Sequence, residues 1–277
     1  MERYDILKRI AAELDRGEFT FPTHALVALK LQRALADPDC HSEQATRLIK
    51  AEPLLAAKVV ALANATAFNP SGRSITDVRT AVLRLGFRYL RSLTASVVTR
   101  QLAAPLSTRD RELAARLWEH TAHVAALAHV IARKVTRLDP ETAMFAAIVH
   151  EVGAFYLISR SAEYPALFDE DFSAWTETGE AEVGRAVLKL LAVPQTVVDA
   201  IEVTWRGFLA LPPTTLGDTL LLADELAPVE SPLRDLEGAS RQDAAVSIDM
   251  LIGKETLLEI MHESAADVVS LVAALRL

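Results

Sequence analysis

Residues 54–64 read LLAAKVVALAN, and this stretch decides the fold class of the chain. Apolar residues occupy nearly the whole circumference of the predicted helix, so neighbouring helices are expected to bury it on most sides. Lys58 is then expected at its polar edge. Asn64 is expected to cap the helix or to anchor the next loop, with contact to a ligand or partner as the alternative. A helix this apolar needs other helices around it and therefore indicates a helical bundle.

The composition of the chain supports the same fold class. Of 277 residues, 51% are apolar and only 10 are glycine. The apolar fraction is rich in Ala and Leu, which lose little conformational freedom in a helix. No segment alternates long enough to indicate a strand. We therefore predict an all-α, multi-helix protein.

Charge, cysteine content and hydropathy exclude several classes of protein. The net charge of −8 opposes general binding to nucleic acids, whose phosphates need a basic surface. Cys40 is the single cysteine, so no internal disulfide forms and a reducing compartment is expected. The N-terminus does not resemble a targeting signal, and no stretch comes near the roughly 20 apolar residues that cross a bilayer. We predict a cytoplasmic protein without a membrane span.

Cap and turn signals divide the chain into successive helices. Ser42 is a candidate N-cap of one helix, and Thr76 or Asp77 of another. Gly86 is a candidate C-terminal stop. Pro105 marks a junction before the helices that carry His120 and His150.

Three stretches of the sequence carry a resemblance to a known family. They are FPTHALVALKLQRALADPD (21–39), LIKAEPLLAAKVVALAN (48–64) and ITDVRTAVLRLGFRYLRSL (75–93). Their phrases strongly resemble the HDOD family, with Glu52-Pro53 in place of that family's Asp-Pro. The resemblance implies an all-helical bacterial regulatory domain without established hydrolase activity. Together with this resemblance, the helix breaks predict an N-terminal helical bundle over 1–104, an HD-like bundle over 105–227, and a linker with closing helices over 228–277. The first two bundles are expected to share one core, because residues 54–64 have too much apolar surface for a small bundle to cover alone.

Four ionisable residues form a candidate site. His120 and His150 are each in register with the apolar residues of their helices, so both are expected to point inward. Asp224 lies in an apolar run, where a carboxylate must be paired, protonated or bound to metal. The order His, His-carboxylate, Asp resembles the ligand order of the HD phosphohydrolases, which have His-Asp where this chain has His150-Glu151. The resemblance implies that the four residues cluster, either as metal ligands or as a hydrogen-bonded group.

The candidate site also departs from the HD pattern. The extra methylene of Glu151 moves its carboxylate by about 1.5 Å. Two-metal HD enzymes add His residues before the last Asp, but residues 179–205 contain none, and Glu180 and Thr204-Trp205 occupy the matching places. We therefore expect no bridging two-metal centre, no catalytic residues and no required cofactor. A single divalent ion such as Mn, Fe or Zn stays compatible with His120, His150, Glu151 and Asp224.

A local run of arginines stands out in this acidic chain. Arg79, Arg84, Arg88 and Arg91 are expected to share much of one helical side. Such a run is either a solvated helix face or a patch that binds an anion or a partner.

These observations give one preferred function and two alternatives. The preferred function is a non-catalytic bacterial signalling protein that acts by binding a partner protein, with a small nucleotide second messenger as a possible ligand. The first alternative is a metal-dependent phosphohydrolase or phosphodiesterase, in which the four ligands would activate water. The second is a nucleic-acid-associated regulator that uses the arginine run, and the net charge opposes it.

Overall fold

The computed structural model describes residues 3–16, 25–51, 53–102, 107–164, 167, 175–191, 193–206, 212–233, 262 and 265–276. Within these ranges the chain is helical and contains no β-strand, which confirms the predicted all-α class. The α-helices are α1 (Arg3–Asp15), α2 (Ala25–Ala36), α3 (Ser42–Lys50), α4 (Pro53–Asn64), α5 (Val78–Leu102), α6 (Thr108–Ile131), α7 (Pro140–Val149), α8 (Val152–Ser159), α9 (Glu180–Leu190), α10 (Gln195–Arg206), α11 (Leu216–Glu225) and α12 (Ala265–Arg276). Single π-helical turns follow α6 (Ala132–Thr136) and precede α9 (Trp175–Gly179).

Helix α4 lies at the centre of the first half of the chain and contacts α3, α5 and α12. Leu55, Val59 and Leu62 are fully buried, as the sequence predicts. Lys58 is only 2% exposed, so its prediction as a polar edge is wrong. Helices α3, α5 and α12 pack against α4, and Ala57, not Lys58, is on its exposed side. The Nζ atom of Lys58 has no hydrogen-bond partner among the described residues, and burial together with nearby Arg100 lowers its pKa to about 8.

Polar anchors define the loop between α4 and α5. Asn64 donates from Nδ2 to the carbonyl of Ile75 (2.7 Å) and accepts at Oδ1 from the Ile75 amide (2.8 Å), which confirms its role as a loop anchor. Asp77 caps α5 by accepting from the Thr80 amide at 2.9 Å. Gly86 interrupts α5 with φ 72°, a conformation that favours glycine. The predicted cap and stop are therefore both present.

The predicted cap of α3 is wrong by one residue. His41 is extended (φ −104°, ψ 152°) and occupies the cap position, although its side chain makes no capping hydrogen bond. Ser42 is already helical, and its carbonyl accepts a hydrogen bond from the Thr46 hydroxyl at 2.7 Å.

Helices α7 and α8 form the most apolar part of the structure. The stretch Pro140–Ser159 is, among the described residues, long and apolar enough to cross a membrane by length and composition. The expectation that no stretch reaches this length is therefore wrong. Within the fold 89% of an 18-residue window of this stretch is buried, and the buried core helices of a protein can be as apolar as a membrane span.

One continuous apolar core joins the two halves of the chain. Helix α5 packs on α7 and α8, and α6 packs on α7, α11 and α12. Helices α8 and α9 approach closely at Gly153 and Gly184, where a Cβ on Gly153 would lie 2.6 Å from the Gly184 Cα. The shared core is as predicted. The predicted boundary at 104 and most of 228–277 lie outside the described residues, so the division into 1–104, 105–227 and 228–277 stays a prediction.

Candidate functional site

Four buried side chains meet where α6, α7, α8 and α11 come together. His120 lies in the middle of α6, His150 and Glu151 form the junction of α7 and α8, and Asp224 lies in the last turn of α11. Their exposures are 0%, 8%, 7% and 4% in that order. Glu151 has φ −99° and ψ 12°, which breaks the helix. In an unbroken helix two consecutive side chains point about 100° apart, so the break helps both to reach one cluster. We call these four residues the histidine–carboxylate cluster.

His120 connects α6 to the segment that follows α11. Its Nδ1 lies 2.8 Å from the carbonyl oxygen of Val229, and since a carbonyl only accepts, this nitrogen carries a proton. Its Nε2 lies 3.1 Å from Oδ1 of Asp224. Two bare acceptors at this distance repel each other, so a proton or a cation must lie between them. The pair is thus a charge-assisted hydrogen bond or half of a cation site.

His150 is held in the same way by its own helix. Its Nδ1 lies 2.6 Å from the carbonyl oxygen of Ala147 and donates to it, which leaves Nε2 as the nitrogen that can accept a hydrogen bond or bind a metal. The rings of His120 and His150 are 5.7 Å apart between centroids. One ligand atom from each of His120, His150 and Glu151 lies within 4.8 Å of the others.

Glu151 is only partly satisfied within the cluster. Its Oε1 accepts from the Ser231 hydroxyl at 3.0 Å, whereas its buried Oε2 has no hydrogen-bond partner in the described part of the chain. Val229 and Ser231 thus tie the segment after α11 to His120 and Glu151. Sequence reasoning missed both residues, because a backbone carbonyl leaves no sequence signal and Ser231 lies in a stretch that has the composition of a linker.

The space beside the cluster is small. A cavity of about 60 Å³ is lined by part of the cluster and by residues from neighbouring elements: His150, Glu151, Trp175, Glu180, Thr204, Asp224, Ser231 and Leu233. Ligand pockets for small molecules have volumes of roughly 300–1,000 Å³, and one water occupies about 30 Å³ in the liquid. The cavity has room for an ion or a few waters, not for a nucleotide.

The residues that replace the missing histidines do face this cavity. Glu180 and Thr204 both line it, so the two positions singled out in the sequence belong to the site. They offer a carboxylate and a hydroxyl where a second metal would require imidazoles. The neighbouring Trp205 packs over Gly184, within 3.1 Å of the position that a Cβ would take.

The donor set fits one divalent ion. Both histidines have Nδ1 bonded to a backbone carbonyl, the arrangement by which proteins orient metal-binding imidazoles. Glu151 adds a buried carboxylate oxygen that lacks a partner among the described residues. These three residues are near enough to share an ion, and Asp224 adjoins His120. Two ions with a bridge would need more ligands than this set offers.

A second group of candidate residues lies away from the cluster. Arg88 pairs with Asp139 and lies 3.6 Å from Glu141. Arg91 stacks over the ring of Phe145, with 5.1 Å from Cζ to the ring centroid. Both arginines line a cavity of about 140 Å³ between α5, α7 and α10. We call it the arginine cavity.

The four predicted arginines do not share one helical side. The break at Gly86 separates Arg79 and Arg84 from Arg88 and Arg91. Arg79 lines a different groove, against α3, and Arg84 is exposed. The predicted single patch is therefore split, since a kinked helix does not keep residues in register across its break.

Another buried histidine, His129, lies on a different face of α6 from His120 and is only 3% exposed. Its ring packs near Phe68 and Tyr89, with centroid distances of 6.3 and 6.0 Å. Burial and the nearby Arg133 lower its pKa to about 4.

Comparisons with known proteins agree with this architecture. The sequence profile of the HDOD domain matches residues 21–206. A protein from Shewanella amazonensis SB2B, described as a candidate metal-dependent phosphohydrolase, has a TM-score of 0.72 at 20% identity, with 99% of each chain covered. An HDOD domain protein of unknown function from Geobacter sulfurreducens has a TM-score of 0.63 at 24% identity, covering 98% of this chain and 97% of the other.

A more distant structure carries a signalling description. It is a candidate signal transduction protein from Marinobacter aquaeolei VT8, with a TM-score of 0.54 at 19% identity, covering 93% of this chain and 59% of the other. None of the curated proteins matches the chain significantly. At these identities the structural likeness defines the fold alone.

Proposed function

Because the chain belongs to the HDOD family, we propose that it is a regulatory protein that acts by binding a partner protein and has no hydrolase activity. The single observation that carries the proposal is the closed cluster. Its four side chains are at most 8% exposed, and the adjoining cavity of about 60 Å³ is far below the volume of a small-molecule pocket. The candidate signal transduction protein from Marinobacter aquaeolei VT8 shares this fold, and its description is compatible with the same role.

The chemistry of the cluster supports a structural role for it. His120 bonds at both nitrogens, to Val229 and to Asp224, and Ser231 bonds to Glu151. Charges and carbonyls that satisfy one another in this way stabilise helix packing and leave little reactivity. A phosphohydrolase would instead need an open position for water and room for a phosphoryl group beside the metal.

A single ion is compatible with this role. His120, His150 and Glu151 would hold it, with Asp224 beside them. When bound, such an ion would supply positive charge to a site that contains three carboxylates of the cavity lining and cluster, Glu151, Glu180 and Asp224. Its expected effect is to stabilise the junction of α7 and α8 against α6.

The proposal places a protein partner first. The cluster cavity and the arginine cavity of about 140 Å³ are smaller than the roughly 300 Å³ at which nucleotide-sized ligands are bound. Grooves of about 370 Å³ beside Arg79 and about 430 Å³ between α1 and α9 reach that size, so a small nucleotide would have to bind in one of them. The exposed arginines of α5 are the basic part of an acidic chain, and charge complementarity favours partners with an acidic surface.

The test uses cross-linking in living cells with the native chain and with Arg88→Gln and Arg91→Gln combined. Glutamine is preferred to glutamate because Arg88 contacts Asp139 and Glu141, and a new carboxylate there would repel them. We expect a specific partner that cross-links to the native chain and is lost from the variant. Hydrolysis of a simple phosphodiester by the native chain in added Mn would contradict the proposal, as would the absence of any specific partner.

A further inference from the structure

Arg91 lines the arginine cavity and forms no ion pair with a described residue. Arg91 is half-buried, and burial lowers its pKa. Its one described partner is the ring face of Phe145. A stacked guanidinium keeps its edge available for a planar fork of hydrogen bonds, so the donors of Arg91 are oriented but not satisfied by a carboxylate of the described residues.

Arg160 provides a comparison, because it is a partly buried arginine that forms structural ion pairs. Its side chain is 13% exposed, and it bonds to Glu13 at 3.0 Å and Glu163 at 2.7 Å. It also donates to the Tyr156 hydroxyl at 3.1 Å. These bonds raise its pKa despite burial. Arg91 has the burial without the carboxylates, which is the pattern of a binding residue and not of a structural ion pair.

The other residues of the cavity add donors. Arg88 lies at its edge, and the Thr142 and Thr196 side chains line it. The first turn of α10 begins there, with the Val197 amide bonded to the Pro194 carbonyl at 2.9 Å. The partial positive charge of a helix start favours an anion, and here it adds to the charge of Arg91.

One acidic residue opposes an anion in this place. Glu141 lines the cavity, but it lies 3.6 Å from Arg88, which also pairs with Asp139. Asp139 in turn accepts from the amides of Glu141 and Thr142, both at 2.9 Å. Asp139 and Glu141 therefore interact with Arg88 and with the start of α7. Neither forms an ion pair with Arg91, so the Arg91 guanidinium can pair with a bound anion.

We propose that the arginine cavity binds a small oxyanion, a carboxylate or phosphate group, with Arg91 as its principal ligand and Arg88 at its edge. Its volume of about 140 Å³ admits such a group but not a whole nucleotide. The assignment of this oxyanion to an acidic or phosphorylated side chain of a partner rests on the proposed function. Binding of the free anion does not, so the two can fail separately.

The experiment is calorimetric titration of the full chain with inorganic phosphate and, separately, with succinate at constant ionic strength. Arg91→Met keeps an apolar contact with Phe145 and removes the charge. Arg84→Met, on the same helix but exposed, is the matched control. We expect Arg91→Met to weaken binding about tenfold or more, since bonds to charged groups are the strong ones, and Arg84→Met to change it less than about twofold. Arg91→Lys, which keeps the charge but loses the fork, should fall between them.

Glu141→Gln provides a test with the opposite sign. It removes the opposing carboxylate and frees Arg88, so anion binding should tighten. Stronger binding of phosphate than succinate would identify a phosphorylated side chain as the partner group, and the reverse would identify an acidic one. Equal weakening by Arg84→Met and Arg91→Met, weaker binding in Glu141→Gln, or no binding of either anion to the native chain would overturn the proposal.

Discussion

The histidine–carboxylate cluster and the arginine cavity differ in how their charged side chains are paired. In the cluster, His120 is bonded at one nitrogen to Val229 and at the other to Asp224, and all four side chains are buried. In the arginine cavity, Arg91 is half-buried against Phe145 and meets no carboxylate of the described chain. The comparison teaches that a ligand-like order of residues in the sequence does not by itself identify a binding site. The unbalanced charge beside an open cavity is the stronger indication of a ligand.

The largest expected effect is that of His120→Ala in the cluster. It removes the imidazole that pairs with the buried carboxylate of Asp224, and breaking a buried charge pair costs about 3–5 kcal/mol. Urea denaturation at pH 7 measures the free energy of unfolding. His123→Ala, in the next turn of α6 at a partly exposed position, is the control and should cost no more than about 1 kcal/mol. Similar losses in the two variants would mean that the cluster is not held by this pair.

The second prediction separates the cluster from another buried histidine. The pKa of His129 in the folded chain is about 4, below its usual value near 6.5. Between these two pH values the unfolded chain binds more protons at His129 than the folded chain does. The free energy of unfolding therefore decreases as the pH falls from 6.5 toward 4. The loss should approach about 3 kcal/mol. Denaturation of native chain and His129→Leu at pH 7 and 4.5 should show a smaller acid loss in the variant. If the native chain and His129→Leu lost the same stability between pH 7 and 4.5, His129 would not cause the acid sensitivity. The histidine–carboxylate cluster would then be the next group to test.

A smaller effect is expected from His150→Ala. It removes the imidazole beside Glu151, whose Oε2 already lacks a partner among the described residues, and should cost about 1–3 kcal/mol. Melting curves with and without added Mn would measure it. If a single ion is bound, Mn should stabilise the native chain and not the variant. A variant as stable as the native chain would show that His150 does not support the cluster.

The smallest effect is expected in a contrast between two partly buried arginines, Arg160 and Arg91. Arg160→Met breaks the bonds to Glu13 and Glu163 and should lower the unfolding free energy by about 1–3 kcal/mol. Arg91→Met breaks no ion pair with a described residue and should change it by less than about 0.5 kcal/mol. Thermal denaturation of both variants tests the contrast. A large loss for Arg91→Met would make Arg91 structural and remove the difference between the two regions.

Features set by neighbouring residues could be predicted from the sequence. Asp77 and Gly86 mark a helix start and a helix break because capping and positive φ depend on local chemistry. The inward direction of His120 and His150 follows from helical periodicity. The resemblance to HD proteins then supplied the order in which these residues meet Asp224.

Features set by distant segments could not be predicted in this way. Lys58 is buried in a helix that packs against α3, α5 and α12, the last of them more than 200 residues away in the chain. Val229 reaches His120 across 109 positions. The arginine run was predicted as one face, but the kink at Gly86 and the packing of α7 and α10 divide it. Periodicity places a side chain on a helix face, and only tertiary packing decides what that face meets.

The central claim is that the histidine–carboxylate cluster stabilises the fold and does not catalyse hydrolysis. The most direct test is elemental analysis of protein purified without chelator, combined with a phosphodiester hydrolysis assay in added Mn. The ligand set predicts at most one equivalent of metal and no turnover. Two equivalents of tightly bound metal, or turnover that disappears in His150→Ala, would contradict the claim and identify the chain as a hydrolase.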